Sequence, residues 1–211
     1  MLDDMKYVDL LGSWIPSEGF VNEYMSPKCQ RGWLTHLDPY WASQPWTRAL
    51  KGKRVLVVHP FMETIVQQYE KRAQLFDTPD TLPEFSSLRV IKAVQSIGGE
   101  SNGFKDWFEA LDWMKAEMDK EEYDVALIGC GAYGFPLAAH AKRTGHKAVH
   151  LGGSLQLLFG IKGKRWEDPK YGFRTAGEGG YRRLLSHEGW VYPLALNKPK
   201  TANSVEGGFY W

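Results

Sequence analysis

The stretch Tyr123-Asp124-Val125-Ala126-Leu127-Ile128-Gly129-Cys130-Gly131-Ala132-Tyr133-Gly134-Phe135-Pro136-Leu137 decides the fold. The short apolar run from Tyr123 to Ile128 fits a strand buried on both faces. Gly129, Gly131 and Gly134 follow with the spacing G-x-G-x-x-G, which is associated with dinucleotide binding. A helix then reads from Phe135 to about Thr144, and Gly145 is a natural cap behind it.

The same strand-to-helix pattern extends outward in both directions. Upstream, Lys53-Arg54-Val55-Leu56-Val57-Val58-His59 is a β-branched apolar run suited to a strand. Pro60 follows where a first helical position tolerates it. Met62, Ile65, Val66, Tyr69, Ala73 and Phe76 then recur at helical spacing until Pro79 and Pro83. Residues 88–95 read as a second strand and Gly98 to Gly103 as a loop. A helix follows with Phe104, Trp107, Phe108, Leu111, Met114 and Met118 on one face. Downstream, Lys147 to Leu151 is a fourth strand, and a further helix starts in Ser154 to Phe159.

Alternating strands and helices predict a Rossmann-like α/β domain over residues 51–166, with a parallel sheet and helices on both faces. Residues 1–50 lack a sustained period and are broken by Pro16, Pro27, Pro39 and Pro45. They read as an irregular segment with short helices around 3–11 and 30–37. Residues 167–211 are polar, glycine-rich and aromatic, and read as an extension packed on the same domain.

Composition narrows the function classes. Hydrophobic residues at 43% and charged residues at 24% match an ordinary globular protein. A formal net charge of +1 argues against general nucleic-acid affinity. No run of about 18 apolar residues occurs, so no membrane span is expected. The N-terminus is acidic and lacks an apolar run, which speaks against a signal peptide. The two cysteines form no C-x-x-C pair, so a structural zinc site is not expected, and a reduced cytoplasmic setting fits them. No H-x-x-x-H or H-E-x-x-H spacing offers a histidine-built metal site.

Ligands of open parallel sheets bind outside the carboxyl ends of the strands. That rule gathers His59, Gln95, Ser96, the turn Gly129 to Gly134 with Tyr133, and His150 with Gly152 and Gly153. Each histidine has a plain alternative as a backbone-bonded structural residue, and the turn has one as a tight connection without a ligand. Cys130 reads as a small buried residue. A dinucleotide site asks for Asp or Glu at the end of the following strand, and His150 stands there instead. NAD is therefore not expected. Gly160 to Glu167 forms a second dense stretch. Lys162, Lys164 and Arg165 are suited to a diphosphate and Trp166 to stacking. A solvated loop around a buried Trp is the alternative. Glu63 lies in the first turn after the first strand, where it faces the crevice or caps the helix. Glu206, next to two glycines and three terminal aromatics, marks a docked tail or a functional group.

Several pieces resemble bacterial glycosyltransferase-like proteins related to the GT-D fold. They are Lys51 to Phe61, Ala93 to Ser96, Gly129 to Gly134, His150-Leu151-Gly152-Gly153-Ser154-Leu155-Gln156-Leu157-Leu158-Phe159-Gly160, Lys162 to Trp166, and Glu206 to Trp211. The resemblance implies a nucleotide-sugar donor, a glycan acceptor and a divalent ion, manganese or magnesium. Gln156 lies within the resembling stretch, beside the donor residues above. An inverting transfer would need a general base, for which Glu63 and His59 are the first candidates. The acidic Arg-Phe-Gly-Asp-Gly-Glu-like motif of GT-D enzymes has no counterpart in residues 1–50. Asp3-Asp4 lacks its flanking pattern. A non-catalytic module for nucleotides or sugar phosphates therefore stands beside the transferase reading, and an NAD-linked oxidoreductase stands behind both.

Overall fold

The computed structural model describes residues 1–96, 102–172, 176–199, 201–204 and 208–211. Two short strands, β1 (Leu10–Ser13) and β2 (Gln30–Trp33), pair in parallel ahead of the main sheet. The short helices expected around 3–11 and 30–37 form only in part, because each range also holds residues of a strand. Only 3-10 turns form there, at Leu2–Tyr7 and Leu34–Leu37. The pairing joins residues twenty positions apart, so no local period announces it.

The main sheet has four strands: β3 (Arg54–His59), β4 (Ser87–Lys92), β5 (Val125–Ile128) and β6 (Lys147–His150). They lie in the order β4-β3-β5-β6, and every pair is parallel. The chain moves outward from β3 to β4, then crosses to β5 on the other side. The gap between β3 and β5 is therefore the switch point, where two crossovers depart in opposite directions.

Helices cover both faces. They are α1 (Met62–Glu70), α2 (Trp107–Met118), α3 (Gly134–Arg143), α4 (Leu155–Leu158) and α5 (Arg182–Leu185). Alternate residues of β3 point to opposite sides, and both sides are buried. Val55 and Val57 pack with Ile65, Leu155 and the C-terminal aromatics Trp166, Tyr181, Trp190 and Trp211. Leu56 and Val58 pack with Leu111 and Met114 of α2 and Leu137 of α3. This double burial is why the strand reads as an unbroken apolar run.

Asp106 caps α2 by accepting the Glu109 N–H at 2.9 Å. The buried stripe of α2 is Ala110, Leu111, Met114 and Met118. Phe108 is 69% exposed, which corrects its expected place on the apolar face. It stands one residue, about 100° of helical turn, off the stripe.

The C-terminal extension shares the core of the sheet. The Gln68 amide donates to the carbonyls of Gly160 and Gly189 at 3.1 and 2.9 Å. The Trp190 indole donates to Leu75 O at 2.9 Å. Near the N-terminal segment, the buried Asp38 carboxylate accepts from the hydroxyls of Tyr40 and Tyr181. No helix among the described residues is long and apolar enough to cross a membrane.

Candidate functional site

The carboxyl ends of β3, β4, β5 and β6 bring the sequence-predicted residues onto one end of the sheet, but in different roles. His59 ends β3 and is 3% exposed. Its Nδ1 accepts the Phe61 N–H at 3.0 Å, so Nε2 carries the proton of the neutral ring. Burial alone pushes its pKa down to about 3. A base at pH 7 has to accept a proton that this site disfavours, so burial makes His59 a weak base whose Nδ1 is already occupied.

His150, at the end of β6, donates from Nδ1 to Ile128 O at 3.1 Å, which leaves Nε2 as an acceptor. Burial lowers its pKa, against the opposing pull of that backbone bond. Cys130 is buried, and burial pushes its thiol up to about 12. The thiol is inert, as expected for a small packed residue.

The three glycines of the turn divide. A Cβ at Gly129 would meet Gly152 O at 2.6 Å and the His59 ring at 2.8 Å. One at Gly134 would meet the His150 ring at 2.2 Å. These two glycines make room for the histidines. Gly131 differs: its φ is +58° and nothing lies within 4 Å of a Cβ there. On the neighbouring strand end Gly152 has φ +57° and is equally open, whereas a Cβ at Gly153 would meet the Tyr210 ring at 2.3 Å. Left-handed backbone open to solvent at two adjacent strand ends offers main-chain groups to a ligand.

On the β4 side, the side-chain amide of Gln95 is buried with no hydrogen-bond partner among the described residues. Ser96 Oγ lies 3.3 Å from the Tyr133 hydroxyl. Tyr133 is itself buried and stacks on Trp107 at 5.1 Å and 7°. The sequence reading missed Lys92, which ends β4 and donates to Glu63 Oε1 at 2.7 Å. It also missed Asn197, which donates to Glu63 Oε2 at 2.5 Å. Burial raises the pKa of Glu63, but these bonds and its own backbone N–H outweigh it and hold the carboxylate below its usual range. Glu63 is thus an ionised, doubly bonded group at the start of α1. Nothing in the sequence signals Asn197, which lies in a polar stretch far from any strand.

The cationic loop splits as well. Gln156 is 1% exposed, and its amide donates to Lys162 O at 2.9 Å and Tyr210 O at 3.2 Å. Trp166 is 2% exposed and belongs to the core. Both side chains are closed off from solvent by the packing around them. A Cβ at Gly163 would meet the Trp166 ring at 2.8 Å. Lys164 is exposed. Lys162 Nζ lies 5.9 Å from the Tyr192 ring. The Arg165 guanidinium sits 4.5 Å over Tyr210, the residue that covers Gly153, and thereby joins the carboxyl end.

Among the described residues no three His, Cys, Asp or Glu side chains gather as a metal site. The titratable donors these strand ends bring together are two buried histidines and the Glu63 carboxylate, which already accepts from Lys92 and Asn197. That set does not fit manganese or magnesium, which favour several free oxygen ligands. Glu206 lies outside the described residues.

No family model, no curated protein and no solved structure matches the chain.

Proposed function

We propose that the chain binds a nucleotide or sugar phosphate at the carboxyl end of its sheet, as a binding module. One observation carries this reading: Gly131 and Gly152 are both left-handed and open at neighbouring strand ends. The α3 amino end adjoins Gly131 and favours an anion, although Pro136 supplies no N–H there. The orphan Gln95 amide nitrogen supplies a donor for a base or sugar on the β4 side, and Arg165, over Tyr210 next to Gly153, supplies positive charge on the β6 side.

A binding role is favoured over catalysis because both candidate bases are weak. Burial lowers the basicity of His59, and bonds from Lys92 and Asn197 lower that of Glu63. Glycosyl transfer from a nucleotide sugar is the second reading. What supports it is that Glu63 keeps a carboxylate 30% exposed at the start of α1, within reach of an acceptor hydroxyl entering over β4.

Titration calorimetry with UDP, GDP, UDP-glucose and NAD tests both. Binding of a nucleoside diphosphate or its sugar, without turnover, is expected. Release of UDP from UDP-glucose, abolished by Glu63→Gln, would shift the assignment to transfer. Binding of NAD alone would refute both.

A further inference from the structure

A second cavity lies at the other end of the molecule. Helix α1 leaves the carboxyl end of β3 and runs back along the sheet, so residues 75–81, between α1 and β4, lie toward the amino end. There the chain lines a half-open cavity of about 160 Å³. A hexose ring is larger than the benzene that a closed apolar cavity of roughly 150 Å³ takes, so it would sit here with part of its rim in solvent.

The lining fixes the chemistry of that ring. Phe76 lies parallel to Tyr40 at 6.4 Å and edge-on to Trp190 at 5.6 Å. The Trp190 N–H is spent on Leu75 O and the Tyr40 hydroxyl on Asp38, so both contribute mainly ring surface. Asp77, Thr78, Arg183 and His187 supply the polar side. His187 Nδ1 accepts the Gly189 N–H at 3.3 Å, which puts the imidazole proton on Nε2 as a donor. One Arg183 N–H goes to Ala176 O, out of the five a guanidinium carries. The lining thus holds an acceptor in Asp77, donors in Arg183 and His187, and a group of both kinds in Thr78.

Asp77 and Arg183 cancel in charge, so the cavity selects no net ion. Mixed donors and acceptors facing aromatic rings match a ring that bears hydroxyls on its rim and C–H groups on its faces. We propose that this cavity binds a neutral aldohexose sugar, as a site separate from the carboxyl-end crevice.

Ligand-observed NMR on the full chain with D-glucose, D-galactose and D-mannose tests this, with benzoate as an anionic ring of similar size. Saturable binding of at least one aldohexose is expected. Asp77→Ala and His187→Ala should each weaken it about fivefold, the value of one good hydrogen bond. Both sites are solvent-accessible, and an unchanged melting temperature checks that the fold survives. Gly131→Asn, at the opposite end, should leave sugar affinity unchanged. Three results would each overturn the proposal: benzoate binding in place of sugar, binding of none of the probes, or sugar binding that Gly131→Asn abolishes and Asp77→Ala spares.

Discussion

Gly134 lies against the His150 ring so closely that a Cβ there would stand 2.2 Å from ring Cε1 and 2.4 Å from Nδ1. The third glycine of the G-x-G-x-x-G motif is therefore a seat for an imidazole. Gly134→Ala should force the ring aside and break its bond to Ile128 O. We expect a loss of about 1–3 kcal/mol in chemical unfolding, the cost of overpacking. Combining it with His150→Ala should recover part of that loss, since the two sites share one contact.

Gly131 offers the contrast. Gly131→Ala has no neighbour to strike and pays only left-handed strain, about 1 kcal/mol. Gly131→Asn tolerates the same backbone and places a side chain where a phosphate would sit. It should keep the melting temperature near wild type and lose nucleotide affinity at least tenfold by calorimetry. Unchanged affinity would remove this glycine from the site.

His59 makes the fold acid-sensitive. Its pKa falls from 6.5 to about 3 on folding, so the unfolded chain binds the extra proton. Stability is full above pH 6.5 and falls as pH drops toward 3. The slope is at most about 1.4 kcal/mol per pH unit from this one group. His59→Asn, whose Oδ1 can replace Nδ1 as acceptor for Phe61 N–H, should flatten that window in urea titrations run from pH 7 to 4.

Asp38 works in the opposite direction. Burial raises its pKa above the ordinary 3.8, against the lowering effect of the bonds from Tyr181, Tyr40 and Ser154. Its contribution is present below the unfolded value and is lost as pH rises through the raised one. Asp38→Asn, uncharged at every pH, should remove that dependence, read from melting temperatures between pH 3.5 and 7.

The thiols should react in two phases. Cys29 is partly exposed, whereas Cys130 is buried with its thiol raised to about 12. A disulfide reagent at pH 8 should modify one cysteine per chain quickly and the second only on unfolding. Two fast thiols would contradict the packing at the glycine turn.

The strands and the larger helices were legible because they are local. The doubly buried run Val55 to Val58 and the stripe through Leu111, Met114 and Met118 appear in any short window of the sequence. The convergence on the carboxyl end followed from the strand pattern alone. What stayed hidden was how each residue there is used. Gly129 and Gly131 look alike in sequence, yet one packs on His59 and the other is open. Gln156 and Trp166 look accessible until Tyr210 and the core close over them. The β1–β2 pairing was missed for the same reason, since its register depends on contact across a long loop.

The Asp38–Tyr181 bond joins residues 143 positions apart. A ribosome adding roughly 5–20 residues per second needs about 7–29 s to cover that span. During that interval the nascent chain holds a carboxylate whose Tyr181 partner has not yet been made, so the burial of Asp38 is completed only when the C-terminal extension docks.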